Sequence, residues 1–212
     1  MISTSNRTVA VWIGLVGGFI AAQSVTAQSG SPTVQSGPAY TSADVQFMQG
    51  MIGHHAQAVV MAAMAPTHGA SLKVALFCRK IDISQRDEIA LMQTWLQDRG
   101  QTVPDPLVSN GHEAMAGMDM GDHAMLMPGM LTPERLKQLD QSRDTTFDRL
   151  FLTFMIQHHK GALTMVATLF DSPGAGQTPE IFGYATGVDA DQRAEIERME
   201  GMLSPLQRRT PQ

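Results

Sequence analysis

One motif built around two adjacent histidines occurs twice in this chain, about a hundred residues apart. The first copy comprises Asp44, Phe47, Met51, Ile52, His54, His55, Ala58 and Met61, and the second comprises Asp148, Phe151, Met155, Ile156, His158, His159, Ala162 and Met165. An internal repeat constrains the fold more than any local pattern, because each copy has to form the same structural unit. Imidazole and thioether groups bind soft and borderline metal ions, so the two copies predict two halves facing each other across one site.

A second matched set extends the repeat. It pairs Gln85, Glu88, Ile89 and Met92 with Gln192, Glu195, Ile196 and Met199. Each half is therefore predicted to be a helix pair, and the helices are expected at 42–65, 70–99, 144–171 and 179–203. A short helix is also predicted from Thr132 to near Asp140, with Pro133 in the first turn, where a missing N–H has no cost.

Two helical hairpins joined by one long connection form the topology of ferritin-like four-helix bundles. The predicted fold is therefore all-α, a ferritin-like four-helix bundle of two repeated hairpins with a long Met-rich crossover. The predicted parts are a bundle domain at 42–205, with repeat 1 at 42–100, the crossover at 101–131 and repeat 2 at 132–205, and a tail at 206–212. Both histidine pairs lie near the middle of their helices, so they would meet at one level whether those helices run parallel or antiparallel.

The N-terminal 27 residues are typical of a secretory signal. Arg7 precedes an apolar run, and Val25, Thr26 and Ala27 form a small-residue cleavage site. We expect a signal peptide at 1–27, a flexible leader at 28–41 and a periplasmic or secreted protein. The apolar run is shorter than the roughly 18 to 20 residues that span a bilayer, so membrane attachment through an uncleaved signal is the weaker interpretation.

The single cysteine and the overall charge exclude other classes. Cys78 has no partner for an internal disulfide, and its apolar neighbours predict a buried thiol, with a metal ligand or an intermolecular bridge as alternatives. The formal charge is -5 and the sequence has no basic stripe, so a nucleic-acid partner is not predicted. No Glu-x-x-His pair of a di-iron centre, G-x-S-x-G or H-E-x-x-H occurs, so no enzymatic activity is predicted.

On one helix, Met51 shares a face with His54 and His55, whereas neighbouring histidines point about 100° apart. A metal site would thus take one imidazole from each of two helices, together with thioethers. The predicted ligands are His54, His55, His158, His159, Met51 and Met155. The second imidazole of each pair would cap the site, bind elsewhere or hydrogen-bond to a carboxylate such as Asp44 or Asp148. The alternative is a set of buried, hydrogen-bonded histidines, and for Met61 and Met165 core packing is favoured.

The crossover carries a second candidate metal site. Its predicted ligands are His112, Met115, Met118, Met120, His123, Met125, Met127 and Met130. Closely spaced thioethers suit monovalent copper, so Cu(I) is favoured, with Cu(II) or Ag(I) as alternatives. Loops of this length are usually functional or disordered, and the other interpretation is a low-complexity linker whose methionines pack on the bundle.

These motifs resemble the domain of unknown function 305 family, which includes CopM-like periplasmic copper binders. The resemblance covers about 44–203 and is carried by four segments, 47–61, 85–95, 127–134 and 147–162. It implies a ferritin-like helical bundle and, as in the copper-binding members, metal held by histidine and methionine.

The predicted function is an exported copper-binding protein for sequestration, resistance or delivery. Its partners would be the metal ion and another periplasmic copper protein, and homo-oligomerisation is left open. One alternative is an interaction or assembly module without metal, in which the histidine pairs are buried network residues. A metal-dependent redox enzyme is the weaker alternative, because nothing in the sequence identifies a substrate pocket.

Overall fold

Four long helices and one short helix make up residues 40–106 and 126–208, the part of the chain that the computed structural model describes. The helices are α1 (Ser42–Ala63), α2 (Leu72–Asp98), α3 (Pro133–Asp140), α4 (Asp144–Asp171) and α5 (Pro179–Arg208). No strand occurs in these residues, and the predicted all-α fold is confirmed. The predicted signal peptide and most of the Met-rich crossover, including His112, Met115, Met118, Met120, His123 and Met125, lie outside the described residues.

The first hairpin turns where the sequence signals a break. Helix α1 ends at Ala63, two residues earlier than predicted, and a 3-10 turn follows at Ala65–Thr67. Pro66 lies in this turn because it has no N–H to continue the α-helical ladder. Gly69 then adopts a positive φ of 67°, a conformation that glycine takes without a steric penalty. At the far end, α5 extends to Arg208, past the predicted end at 203.

Two carboxylates near the starts of α1 and α4 clasp the opposite ends of the bundle. Asp44 accepts hydrogen bonds from the backbone N–H of Thr41 at 2.7 Å and, with its other oxygen, from that of Gly176 at 2.7 Å, in the turn before α5. Asp148 accepts a hydrogen bond from the backbone N–H of Ser71 at 3.1 Å, in the turn before α2. The start of each helix therefore lies beside the end of the other, so α1 and α4 run antiparallel.

The core consists of two apolar clusters, each of which includes residues of both histidine motifs. One cluster contains Met155, Phe147 and Phe151, and the other contains Met51, Phe47 and Trp95. Cys78 is buried in the first cluster, as the sequence predicts. None of the described helices is apolar over a long enough stretch to cross a membrane.

The end of the crossover lies as a strap, residues 126–131, across α1 and α4. Gln57 binds the backbone of Leu131 with both amide atoms, at 3.0 and 2.7 Å, and Gln157 donates to the carbonyl of Gly129 at 3.2 Å. Gly161 makes this approach feasible, because a Cβ at that position would lie 1.9 Å from the carbonyl oxygen of Pro128. The strap therefore depends on direct backbone contact with α4.

Replacing Gly161 with alanine is expected to destabilise the protein by about 1–3 kcal/mol, because the methyl group would meet backbone atoms of the strap that cannot rotate away. The free energy of unfolding in urea measures this. Gly187→Ala is the matched control, since a Cβ there meets nothing within 4 Å. This change in α5 should stabilise by about 0.5–1 kcal/mol through helix propensity. Equal effects of the two substitutions would contradict the contact.

Candidate metal centre

The four repeated histidines form a buried layer in the middle of the bundle. His54 and His55 of α1 and His158 and His159 of α4 are at most 1% exposed. The two inner rings, those of His54 and His158, lie against each other at a tilt, with centroids 3.8 Å apart and planes inclined by 38°. The antiparallel arrangement of α1 and α4 thus brings the two copies of the motif together, as the repeat predicts.

The two outer rings bind carboxylates of the second helix of their own hairpin. The Nε2 of His55 lies 2.5 Å from an oxygen of Glu88, and that of His159 lies 2.8 Å from Glu195. Lys80 donates to the other oxygen of Glu195 at 3.0 Å. Three roles were predicted for the second imidazole of each pair, and the observed one is the hydrogen bond to a carboxylate. Asp44 and Asp148 are not its acceptors. Both instead accept hydrogen bonds from backbone N–H groups at the ends of the bundle.

These contacts determine which ring nitrogens carry hydrogen. Carboxylate and carbonyl oxygens only accept hydrogen bonds. The Nε2 of His55 and His159 must therefore donate, and so must that of His54, which lies 3.0 Å from the carbonyl oxygen of Pro128. With neutral rings, the Nδ1 atoms of these three histidines keep a lone pair. All three are buried without a hydrogen-bond partner within the described ranges.

His158 differs from the other three histidines. Neither of its ring nitrogens has a hydrogen-bond partner in residues 40–106 and 126–208. The side-chain oxygens of Gln85 and Gln192, a matched pair of the repeat, are also buried there without a donor. The layer itself thus holds several ring nitrogens that lack a partner in these residues. Buried polar atoms of this kind normally have a partner, and a cation would supply one.

Burial keeps the rings of His54, His158 and His159 neutral. It lowers the pKa of His54 from 6.5 to about 3, and the neighbouring His55 adds to the effect. Burial, followed by the nearby His54, lowers the pKa of His158 in the same direction, and burial also lowers that of His159. A neutral imidazole has a lone pair free for a metal, whereas a protonated one does not.

The acidic partner of His159 is held charged. Burial by itself would raise the pKa of Glu195, but the hydrogen bonds donated by His159 and Lys80 and the positive charge of Lys80 outweigh it, and the pKa is lowered. A negative carboxylate therefore lies directly behind one imidazole of the layer. Such a carboxylate fixes the orientation of a ligating histidine and raises its basicity.

The layer is not already shaped as a metal cage. In the described ranges, no three side chains of histidine, cysteine, aspartate or glutamate are grouped to hold a metal ion. The closely spaced, tilted rings of His54 and His158 would have to turn before their in-plane lone pairs could converge on one point. Thioethers could complete such a site, and Met51 and Met155 are fully buried, one in each apolar cluster.

The remaining predicted ligands lie on or beyond the strap. Met130 is buried, and Met127 is half-buried beside α1. Four residues of the site were not predicted from the sequence, namely Glu88, Glu195, Lys80 and Pro128. Glu88 and Glu195 occupy matched positions in the repeat, and this match could have indicated that both belong to the site. Nothing local marks Lys80 or Pro128, whose contacts span 115 and 74 residues.

Comparison with known proteins found one family and several solved structures. A family model described as domain of unknown function (DUF305) matches residues 44–203. A DUF305 fragment from Deinococcus radiodurans is 30% identical, with a TM-score of 0.63 over 78% of this chain and 98% of that one. CopM in its Cu(II)-bound form is 27% identical, with a TM-score of 0.59 over 76% of this chain and 96% of CopM.

CopM was also solved in a Cu(I)-bound form, which is 26% identical, with a TM-score of 0.56 over 76% of this chain and 96% of that one. Comparison with curated proteins found no match.

Lowering the pH is expected to destabilise the metal-free protein. The unfolded chain takes up protons near the ordinary histidine pKa of 6.5, whereas folded His54 does so only near its pKa of about 3. The stability that the neutral rings contribute is thus complete above pH 6.5 and is lost as the pH falls towards 3. Each such ring adds a slope of up to about 1.4 kcal/mol per pH unit, measurable by urea unfolding between about pH 5 and 7.5.

His158→Phe is the control for this slope, because it removes a titrating ring without removing a hydrogen bond. The variant should show a shallower pH dependence, and an unchanged slope would contradict the account. The lowered pKa of Glu195 also favours stability at higher pH, but it acts below that group's ordinary value of 4.5 and so outside the measured window.

Glu88 should fix the tautomer of His55. In Glu88→Leu, Nε2 of His55 loses its acceptor, and the ring is expected to populate both tautomers. Glu88→Gln keeps an acceptor and should retain the hydrogen on Nε2. Ring ¹⁵N chemical shifts of the metal-free protein distinguish these states, and His159, bound to Glu195, serves as internal reference. Identical His55 shifts in wild type and Glu88→Leu would refute this role.

Proposed function

The chain belongs to the DUF305 family, whose model matches residues 44–203, and we propose that within this family it is an exported copper-binding protein for sequestration, resistance or delivery. One observation carries the proposal. Buried neutral imidazoles from both halves of the repeat meet in one layer, with hydrogen bonds directed outward from Nε2 and Nδ1 lone pairs that lack a partner among the described residues.

Copper is the metal that these side chains favour. Imidazole suits copper, and thioethers select its monovalent form, so Cu(I) is preferred over Cu(II), with Ag(I) as a substitute. CopM, which is similar to this chain, was solved with both copper ions bound. In this chain, we assign the ligands to His54 and His158, with His55 and His159 beside them and Met51 and Met155 as the thioethers.

The surroundings of the layer support a positive ion in the core. A buried charge needs opposite charge or hydrogen bonds close by. Glu88 and Glu195 supply carboxylates directly behind His55 and His159. Because His54, His158 and His159 are neutral before binding, a metal ion does not have to displace a proton from them.

The proposed function includes export of the protein and a second capture site for the ion. The sequence of residues 1–27 predicts export, and an oxidising compartment favours thioethers over thiolates as copper ligands, because thioethers form no disulfides. The crossover methionines and histidines would form a second capture site, of which Met127 and Met130 lie in the described strap. Another periplasmic copper protein would receive or supply the ion.

A metal-free interaction or assembly module is the rival function. His54, His55 and His159 each have one hydrogen-bond partner, and buried histidines in a polar network need no metal. In that case removing metal would leave both the thermal stability and the oligomeric state unchanged, whereas a ligand that binds only the folded state raises stability by mass action.

An anaerobic Cu(I) titration against a chromophoric competitor tests the proposal. We expect the wild type to bind with a Kd below about 1 μM. Replacing His54, His55, His158 and His159 with glutamine should abolish binding in the bundle and leave the weaker crossover site. Replacing Met115, Met118, Met120 and Met125 with leucine should remove the weaker binding instead.

His68→Gln is the matched control. His68 is also buried, but it lies outside the layer and binds the carbonyl oxygen of Asp140 at 2.8 Å. This variant should bind copper like the wild type. Equal copper stoichiometry in the wild type and the four-histidine variant, with both folded by circular dichroism, would overturn the copper proposal and favour the interaction module.

A further inference from the structure

Two thioether side chains converge above Gly50 on α1. From the position that a Cβ of Gly50 would occupy, the sulfur of Met127 is 3.3 Å away and the terminal methyl of Met165 is 3.4 Å away. Both methionines and Gly50 are half-buried. Residues from the strap and from α4 therefore meet at one point on the surface of α1, where solvent has access.

The repeat shows that this arrangement is particular to one half of the molecule. Gly50 corresponds to Phe154, whose ring lies under the guanidinium of Arg135 at 5.7 Å from its centre. Met165 corresponds to Met61, which is fully buried in the core. Core packing, the role that the sequence favours for both methionines, therefore describes Met61 better than Met165.

The thioether pair is directly connected to the histidine layer. Met127 precedes Pro128, whose carbonyl oxygen accepts the hydrogen bond of His54. Gly50 lies four residues before His54 on α1, which is about one helical turn. An ion held above Gly50 would thus be about one turn away from the inner imidazole, on the same face of the helix.

We propose that Met127 and Met165 form a surface site for a soft monovalent ion, Cu(I) or Ag(I), one helical turn from His54. Thioethers are soft, neutral ligands, and methionine has three rotatable bonds with which to bring its sulfur onto an ion. Two neutral ligands at a half-exposed position bind an ion that can also leave, as a transfer site requires. The transfer role rests on the proposed copper function, whereas binding by the pair does not.

Titration of the full mature chain, labelled with ¹³C at the methionine methyl groups, with Ag(I) tests this site by NMR. The substitutions Met127→Leu and Met165→Leu assign the two signals. Both signals are expected to shift together, and each substitution should weaken Ag(I) binding at the remaining methionine by about tenfold or more. Gly50→Ala should weaken it as well, because the added methyl group enters the space between the two side chains.

Met61→Leu is the matched control, because Met61 is the buried repeat counterpart of Met165, and it should leave the surface shifts unchanged. The site is overturned if the Met165 signal stays fixed while that of Met127 shifts, if neither shifts, or if Met165→Leu leaves Ag(I) binding at Met127 unchanged. The four-histidine glutamine variant separates the two proposals. If the Met127 and Met165 signals still shift together in that variant, the surface pair is established even if the buried layer binds no copper. If the joint shifts are lost in that variant, the pair is not a site of its own.

Discussion

The hydrogen bonds donated by Nε2 of the buried histidines govern the rest of this structure. An imidazole without a partner is costly in an apolar core, so three of the four rings are matched to oxygen acceptors brought in from other segments. Glu88 and Glu195 position α2 and α5 against their own hairpins, and Pro128 draws the strap across the bundle. The same contacts use the Nε2 atoms and leave the Nδ1 lone pairs within the layer without a partner among the described residues.

The two halves have the same pair of long helices but differ in the contacts that they make around the histidine layer. The two faces of the layer are therefore not equivalent. Lys80 of α2 reaches across to Glu195, so one carboxylate is paired with an ammonium group from the other hairpin. The strap binds His54 but makes no hydrogen bond to His158 in the described residues. A repeated sequence has thus produced one layer with two unequal faces, and the face that carries the strap is the one where Gly50 leaves room for thioethers.

The helices and their pairing were predictable because they depend on local pattern and on the repeat. Helix α4 begins and ends where the sequence predicts, at Asp144 and Asp171, and the motif histidines do meet. The direction of α1 relative to α4 was not predictable, since either direction brings mid-helix histidines to one level. The acceptors of the outer rings were also missed. Asp44 and Asp148 lie inside the motif, but unpaired backbone N–H groups near the helix ends compete with the histidine rings for a carboxylate. Here the two carboxylates bind backbone N–H groups rather than histidines.

The crossed clasp formed by these two aspartates bears on how such a chain arises. The turn of each hairpin is completed by a carboxylate of the other, so a hairpin on its own has a backbone N–H without its acceptor. Two identical hairpins related by a two-fold axis would complete each other in the same manner, which is an isologous dimer. Gene duplication and fusion of such a hairpin converts a concentration-dependent association into an intramolecular one, after which each copy is free to diverge at positions such as Gly50 and Phe154.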